Sequence, residues 1–199
     1  METEIFDGGS QQDIEKAAKI LKNGGLVAIP TETVYGLAAD ALNSCAVAKI
    51  FKAKGRPMDN PLIVHISRFE EIYRLVKGVP HKAKELADRY WPGPLTMVMP
   101  KGSEVSPVTC AGLDTVGVRM PSHPVVQQVI KESGVAFAAP SANLSGKPSP
   151  TNAPDTLADM DGRLPLILDG GECTVGVEST VVAVTGEHPM LLRPGYVTK

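Results

Sequence analysis

The order of apolar segments limits this chain to a few folds. Through the first two thirds of the sequence, short apolar runs alternate with amphipathic stretches, and in the last third short apolar runs follow one another closely. Helices between strands favour parallel neighbours, whereas closely spaced strands favour antiparallel pairs. The pattern therefore predicts an α/β fold with a twisted, mixed parallel and antiparallel sheet and flanking helices. At 199 residues the chain can form one sizeable core, and we expect a single domain over residues 1–199.

The predicted helices rest on the spacing of apolar residues and on the residue types that cap helices. They are 14–21, stopped by Gly24 and Gly25; one around 47–51, capped by Asn43 or Ser44 and ended near Gly55; a short one after Ser67 and Glu70, which have capping-box spacing; 81–90; and one from Ser122, with Pro124 just inside, to Gly134. The predicted strands are 26–29, 62–66, 95–99, 115–120, 135–139, 166–168, 179–184 and 190–192.

The net charge and the lack of targeting signals limit the kinds of partner that the protein can have. The net charge of -2 provides no global field for nucleic acid, so a polyanion would need a local basic patch, whereas small anions remain fully compatible. The N-terminal residues lack the basic start and apolar run of a secretory signal, and no apolar run reaches the roughly 18 residues of a membrane span. We expect a cytoplasmic protein with no membrane partner.

The cysteines carry little functional signal. Cys45, Cys110 and Cys173 are widely spaced, form no Cys-x-x-Cys pair and have no nearby His that would complete a metal site. We expect them to be reduced and mostly buried, with a cysteine nucleophile as the alternative.

A cluster of cations follows the second predicted helix. Lys52, Lys54 and Arg56 lie within five positions, and Asn60 follows between two prolines that stiffen the loop. One interpretation is a solvated helix end whose charges complement the helix dipole. The other is a phosphate site in which Arg56 supplies a planar fork and Lys54 a point charge.

The strand 115–120 has one polar face. Strand alternation places Thr115, Gly117 and Arg119 together, opposite three apolar residues, and Gly117 leaves room for a ligand at the centre. On the strand 62–66, His65 shares a face with Ile63 and would bind a carboxylate with Arg119. The alternatives are an edge strand with a solvated face and a half-buried, hydrogen-bonded histidine.

Two further loops place polar groups at strand ends. Ser141 and Asn143 follow the strand 135–139, where open sheets present ligand-binding loops, although both residue types also favour plain turns. Residues 176–180 and the segment around Arg193 repeat the arrangement of a strand beside hydroxyls or Arg. We interpret 141–151 as a surface loop, and its role as a lid stays open.

Two phosphate-binding motifs are missing. Gly146 and Lys147 are followed by Pro148, with Ser141 where a P-loop needs its first Gly, and no Gly-x-Gly-x-x-Gly occurs. Any ATP must therefore use another kind of site. Since no cluster of His, Cys and carboxylates is present to hold a metal, Mg²⁺ would be carried by phosphate oxygens and water.

Together these residues resemble the Sua5/YrdC family, the threonylcarbamoyl-AMP synthases that begin the t6A modification of tRNA. The resemblance covers nearly the whole chain. Its motifs are Pro-Thr-Glu-Thr-Val-Tyr-Gly-Leu from Pro30, Lys-x-Arg at Lys54, Asp-Asn-Pro-Leu-Ile-Val-His from Asp59, Trp-Pro-Gly-Pro-Leu-Thr from Trp91, Ser-x-Asn at Ser141 and Gly-Val-Glu-Ser-Thr from Gly176.

The resemblance implies a large concave cavity in which L-threonine, bicarbonate and ATP with Mg²⁺ react to threonylcarbamoyl-adenylate, pyrophosphate and water. It implies catalytic roles for Lys54 and Arg56 and a main-chain contact at most from Ala139. The implied threonine-binding residues are Thr33, His65, Arg119 and Ser179, and the implied ATP-binding residues are Arg56, Asn60, Thr115, Ser141, Asn143, Ser149 and Arg193.

The resemblance also implies that the product passes to the tRNA threonylcarbamoyl transferase machinery. Longer relatives add a C-terminal domain, and we expect this chain to be the minimal catalytic domain without it. Two alternatives remain. One is an RNA-binding module, for which weak tRNA binding stays open, and the other is a paralogue that uses a different carbamoyl or nucleotide substrate.

Overall fold

All strands within the described residues belong to one open sheet. The computed structural model describes residues 2–198, and in this range ten strands adopt the order β1-β8-β2-β3-β7-β4-β6-β5-β9-β10. Pairs β1·β8, β2·β8, β4·β6 and β5·β9 are parallel, and the other pairs are antiparallel, so the predicted mixed sheet is confirmed. The strands are β1 (Glu4–Asp7), β2 (Val27–Ile29), β3 (Gly36–Asp40), β4 (Ile63–His65), β5 (Leu95–Pro100), β6 (Thr115–Arg119), β7 (Phe137–Ala138), β8 (Leu166–Asp169), β9 (Thr180–Ala183) and β10 (Met190–Arg193).

Capping side chains and left-handed glycines mark where helices begin and end. Asn43 accepts hydrogen bonds from the backbone amides of Cys45 and Ala46, and Gly55 ends the same helix with a left-handed φ of 62°. None of the helices within residues 2–198 has the length and apolar character that crossing a bilayer requires. The helices are α1 (Gln11–Lys22), α2 (Ser44–Lys54), α3 (Ile72–Leu75), α4 (His81–Tyr90), α5 (Pro124–Ser133) and α6 (Ala153–Met160).

Two predicted caps are wrong in detail. The cap of α5 is His123, whose Nδ1 accepts from the amide of Val125, and not Ser122. Ser67 does not form a capping box with Glu70, because its amide and hydroxyl both donate to the carboxylate of Glu71. A 3-10 turn at Phe69–Glu71 then leads into the short α3.

The cysteine prediction holds only in part. All three are free thiols, but Cys45 is exposed, Cys173 is half-buried and only Cys110 is fully buried. Cys45 lies in the first turn of α2, on the side of the helix that faces solvent. Burial raises the pKa of the Cys173 thiol to about 11, so this thiol is protonated at neutral pH and is a poor nucleophile.

The two faces of the sheet are covered unequally. On one face, α1 and α5 pack against each other and against apolar side chains of β2, β3, β7 and β8. On the other face, α2, α4 and α6 contribute to a larger apolar cluster that includes side chains of β4, β5 and β6. The first face is therefore covered by helices only over the β1 half of the sheet, and over β4, β6, β5 and β9 it is left open.

Candidate active site

The open half of this face forms the floor of a cavity of about 540 Å³. Register pairs place His65 beside Arg119, Arg119 beside Thr96, and Thr96 beside Val181, so one row of side chains crosses four strands. The next row consists of Ile63, Gly117 and Val98. All of these residues line the cavity. The predicted shared face of His65 and Arg119 is thus a direct consequence of the parallel pairing of β4 and β6.

Gly117 keeps the centre of this floor low. A Cβ atom built at Gly117 would lie 3.3 Å from Thr96 Cγ2 and 3.6 Å from Ile63 Cγ1. Any larger side chain would extend from there into the cavity. Thr115 and Arg119 on either side of Gly117 can therefore face one extended ligand along a single strand.

Arg119 is buried at this floor, with only 4% of the residue exposed, and three contacts hold its guanidinium. Its Nη1 donates to Thr33 Oγ1 at 2.9 Å, its Nε donates to the carbonyl of Gly93 at 3.3 Å, and its Nη2 lies 2.6 Å from Glu32 Oε1. Burial lowers the pKa of Arg119, and the charge of Glu32 acts in the opposite direction. The guanidinium remains cationic, as arginine does in proteins, and is fixed in orientation.

His65 is neutral beside this cation. Burial and, secondarily, the charge of Arg119 lower the pKa of His65 to about 3. Its Nδ1 is buried and has no aligned hydrogen-bond partner among residues 2–198, and the residue lines the cavity. His65 therefore offers a hydrogen bond, not a charge, to whatever Arg119 binds.

Ser179 links the amino-acid end of the predicted site to Arg193. Its hydroxyl lies 2.8 Å from the hydroxyl of Thr96, and Arg193 Nη2 donates to the carbonyl and hydroxyl oxygens of Ser179 at 2.8 and 3.1 Å. Both Ser179 and Arg193 line the cavity. Arg193 is thus tied to the floor row at Thr96 by way of one serine.

A second group of predicted residues lines the cavity around Arg56. Burial lowers the pKa of Arg56, which lines the cavity and whose buried Nε has no hydrogen-bond partner within residues 2–198. Ala139 is in the wall as well, but its amide already donates to Ile63, so a main-chain contact would have to come from its carbonyl. The other predicted ATP-binding residues of this wall are Asn60, Thr115 and Ser141.

Lys54, Asn143 and Ser149 do not belong to the cavity lining. Lys54 is 2% exposed, and its ammonium donates to the backbone carbonyls of Ser141 and Asn143, the latter at 2.6 Å. Ser149 donates to Glu178 Oε1 at 2.9 Å. The structure therefore departs from the prediction of a Lys54 point charge facing the ligand, because loop carbonyls have taken up its donors.

The prediction from sequence missed polar residues of this site. Thr31 and Glu32 lie in a loop, where no periodicity indicates which side chains point inward, although both belong to the family motif that begins at Pro30. Thr96 could have been found, since it is the one polar residue in the apolar strand 95–99. Glu178 lines the cavity and is held by Ser149.

Comparison with known proteins identifies the family of this chain. The Sua5_yciO_yrdC family model, described as telomere recombination, matches residues 19–195. Curated relatives include the threonylcarbamoyl-AMP synthases of Bacillus subtilis, 54% identical over 94% of this chain, and of Pyrococcus abyssi, 55% identical over 92%. Each alignment covers 54% of the relative, so the chain spans about half the length of the curated relatives it matches.

A solved structure shows the same fold. The crystal structure of P. abyssi Sua5 complexed with L-threonine superposes with a TM-score of 0.92 at 54% identity, and the match covers 94% of this chain and 55% of that one. The resemblance drawn from the motifs is thus confirmed along nearly the full sequence. The chain belongs to the Sua5/YciO/YrdC family.

Proposed function

We propose that this chain is a threonylcarbamoyl-AMP synthase, a nucleotidyltransferase that converts L-threonine, bicarbonate and ATP to threonylcarbamoyl-adenylate, pyrophosphate and water. The names of the curated relatives and the threonine complex of the P. abyssi protein support this assignment. The observation that carries it is the polar face of β6, where Arg119 and Thr115 flank Gly117 on the cavity floor. A carboxylate-binding group and a nucleotide-binding group are thus aligned along one strand.

The end of the cavity at Arg119 suits the amino acid. Arginine pairs with carboxylates through two parallel hydrogen bonds, and Arg119 is already oriented by Thr33 and Gly93. Neutral His65 and the hydroxyl of Ser179 offer hydrogen bonds to the side-chain hydroxyl of threonine. We therefore propose Thr33, His65, Arg119 and Ser179 as the threonine-binding residues.

The other end suits a triphosphate. Arg56 and Arg193 supply cations, Thr115 and Ser141 supply hydroxyls, and Asn60 supplies an amide. Asn143 and Ser149 lie behind this wall and would act by holding Lys54 and Glu178 in place.

A metal ion at this end would arrive with the nucleotide. Among residues 2–198, no group of three or more His, Cys, Asp or Glu side chains is placed to hold a metal ion. We propose that Mg²⁺ would be held by the phosphate oxygens of ATP and by water, where it would offset phosphate charge. Arg56 and Arg193 would bind the remaining phosphate oxygens.

The proposed reaction needs no covalent enzyme intermediate. The threonine amine forms a bond to the carbon of bicarbonate or CO₂ and gives a carbamate, with release of water when bicarbonate reacts. A carbamate oxygen then attacks the α-phosphorus in line, and pyrophosphate leaves with the electron pair of the broken P–O bond. Most of the rate would come from alignment along β6 and from charge stabilisation by Arg56, with Lys54 supporting the loop that carries Ser141. The product would pass to the tRNA-modifying transferase in the cytoplasm.

The test is pyrophosphate release by the purified chain. We expect release that requires L-threonine, bicarbonate and ATP together, with mass spectrometry showing threonylcarbamoyl-adenylate. Arg119→Lys keeps the charge but loses the planar fork, and it should raise the KM for threonine about tenfold or more, or ~1.4 kcal/mol. The exposed Arg89→Lys serves as the matched control.

Other outcomes would reject the assignment. Absence of threonine-dependent pyrophosphate release would contradict it, and a preference for serine or for another carbamoyl donor would indicate a paralogue with a different substrate. Tight, salt-dependent tRNA binding without ATP turnover would favour the RNA-binding alternative instead.

A further inference from the structure

Glu32 is a buried carboxylate that contacts one cation, Arg119, and keeps an oxygen without a hydrogen-bond partner among residues 2–198. The residue is 5% exposed and lies in the loop between β2 and β3, where its carbonyl accepts from the amide of Val175 at 2.8 Å. Its Oε1 lies 2.6 Å from Arg119 Nη2. Within residues 2–198, neither carboxylate oxygen of Glu32 nor Arg119 Nη2 makes an aligned hydrogen bond. The pair is in ionic contact, yet both partners retain unfilled hydrogen-bonding positions.

Glu32 and Arg119 neutralise each other without a ligand. The other titratable groups near Glu32 are His123, whose pKa is lowered by burial, and Cys173, whose pKa is raised to about 11, so both are neutral at pH 7. Arg193 adds a positive charge near Arg119 while it donates hydrogen bonds to Ser179. A simple carboxylate that displaced Glu32 from Arg119 would therefore leave the Glu32 carboxylate buried without its cationic partner.

We propose that Glu32 recognises the ammonium group of the amino-acid substrate, so that the Glu32–Arg119 pair is exchanged for two pairs with the zwitterion. This inference rests on the function proposed above. The substrate carboxylate takes the Nη2 position of Arg119, and the ammonium, one carbon away, takes the released carboxylate of Glu32. The buried site remains neutral, and the polar atoms that were unfilled acquire partners.

The fixed contacts of Arg119 make such an exchange feasible. Thr33 holds Nη1 and the carbonyl of Gly93 holds Nε, so the guanidinium keeps its orientation when Glu32 leaves Nη2. Glu32 itself is not part of the cavity lining, whereas its neighbours Thr31 and Thr33 are. Its carboxylate would have to turn from Arg119 Nη2 toward a group bound beside the guanidinium.

The test compares two ligands on two proteins. L-threonine and 3-hydroxybutanoate share a carboxylate and a side-chain hydroxyl, and only threonine carries the ammonium. By titration calorimetry we expect the wild-type chain to bind threonine at least about 30-fold more tightly than 3-hydroxybutanoate. In Glu32→Gln that ratio should fall by a factor of about ten or more, because threonine loses its ammonium partner while the hydroxy acid meets an uncompensated Arg119. The exposed Glu172→Gln removes the same charge nearby and should leave the ratio unchanged.

Each remaining outcome has a separate meaning. Equal weakening of both ligands in Glu32→Gln would show that Glu32 only supports Arg119 and would overturn the inference. Wild-type affinities within about threefold of each other would overturn it even if Glu32→Gln failed to fold. Glu32→Asp retains the charge and should retain most of the discrimination. If the wild-type chain binds no threonine, the proposed function fails as well, whereas threonine binding with an unaltered ratio rejects the role of Glu32 alone.

Discussion

At the scale of single residues, the smallest side chain has a large effect on the site. Gly117 lies at the centre of the cavity floor, between the positions proposed for amino acid and nucleotide. Its backbone does not require glycine, because its φ is not among the positive values found elsewhere in the chain. Glycine is therefore needed at this position to leave space above the strand, and not to allow a special backbone conformation.

Gly117→Val should weaken substrate binding while the protein stays folded. A β-branched residue suits a strand, but its methyl groups would enter the cavity beside Thr96 and Ile63. We expect kcat/KM for pyrophosphate release to fall at least tenfold, ~1.4 kcal/mol, with little change in Tm. Assays of turnover and thermal unfolding check this. Gly78→Val, at an exposed position where an added Cβ meets nothing within 4 Å, is the control. A fully active Gly117→Val enzyme would disprove the proposed ligand position.

Residue-scale prediction from sequence succeeded where a strand supplied the geometry. Alternation was enough to place Arg119 and Gly117 on one face, and the register of β4 and β6 then brought His65 alongside. It failed for Glu32, because a loop has no repeat that indicates side-chain direction. It also failed for Lys54, whose carbonyl partners belong to a segment almost ninety positions away in the sequence.

At the scale of elements, the end of α2 is tied to the loop that follows β7. Gly55 turns the chain after Lys54, so that Lys54 points under the loop while Arg56 reaches the cavity. Burial, and next the charge of Arg56, lower the pKa of Lys54 to about 8, and the residue is still charged at pH 7. One ammonium thus fixes the carbonyls of Ser141 and Asn143 relative to Arg56.

Lys54→Met should loosen this loop and weaken ATP binding more than threonine binding. The substitution leaves buried carbonyls without donors, a loss on the order of 1 to 3 kcal/mol. We expect faster hydrogen exchange at the amides of 141–149 and a Kd for ATP raised about tenfold, with the Kd for threonine nearly unchanged. Lys52→Met removes the same charge from an exposed position of α2 and should change neither. Equal effects of the two substitutions would refute a tethering role.

Element prediction depended on local signals. Gly55 and Gly134 end their helices as predicted, since the left-handed cap is a property of a few neighbouring residues. Three elements were missed. The edge strand β1 is mostly exposed, β3 is rich in Gly and Ala without β-branched residues, and α6, capped by Asn152, directly follows a proline-rich loop. Their formation depends on neighbours that are distant in sequence.

At the scale of the whole molecule, the buried neutral His65 couples stability to pH. The pKa of His65 is about 3 in the folded protein and near 6.5 in the unfolded chain. Below pH 6.5 the unfolded chain takes up a proton that the folded protein refuses, so stability declines as the pH falls from about 6.5 toward 3. Between these values the slope is about 1.4 kcal/mol per pH unit.

The free energy of unfolding should therefore be roughly 2 kcal/mol smaller at pH 5 than at pH 7 on account of His65. Urea unfolding at both pH values measures this difference, and His65→Gln should remove most of it. A smaller dependence should remain, because burial also lowers the pKa of His123. His188→Gln, at an exposed position, is the control. An unaltered pH dependence in His65→Gln would mean that the imidazole is protonated when folded.

The fold class could be predicted from the sequence, but the strand order and the uneven cover of the sheet could not. The alternation of elements was sufficient for a mixed sheet with helices on it. It could not show that α1 and α5 cover only half of one face, because that depends on the strand order, which joins distant segments such as β3 with β7 and β5 with β9. The cavity is a result of that uneven cover.

The uncovered half of the sheet would give bound substrates a structural role under the proposed function. A bound amino acid and nucleotide would occupy the layer that helices provide elsewhere on the same face, and a ligand at a hundred times its Kd adds about 2.7 kcal/mol to the free energy of unfolding. The fraction of molecules open to proteolysis would then fall as these compounds accumulate, and the lifetime of the protein in a cell would depend on their supply.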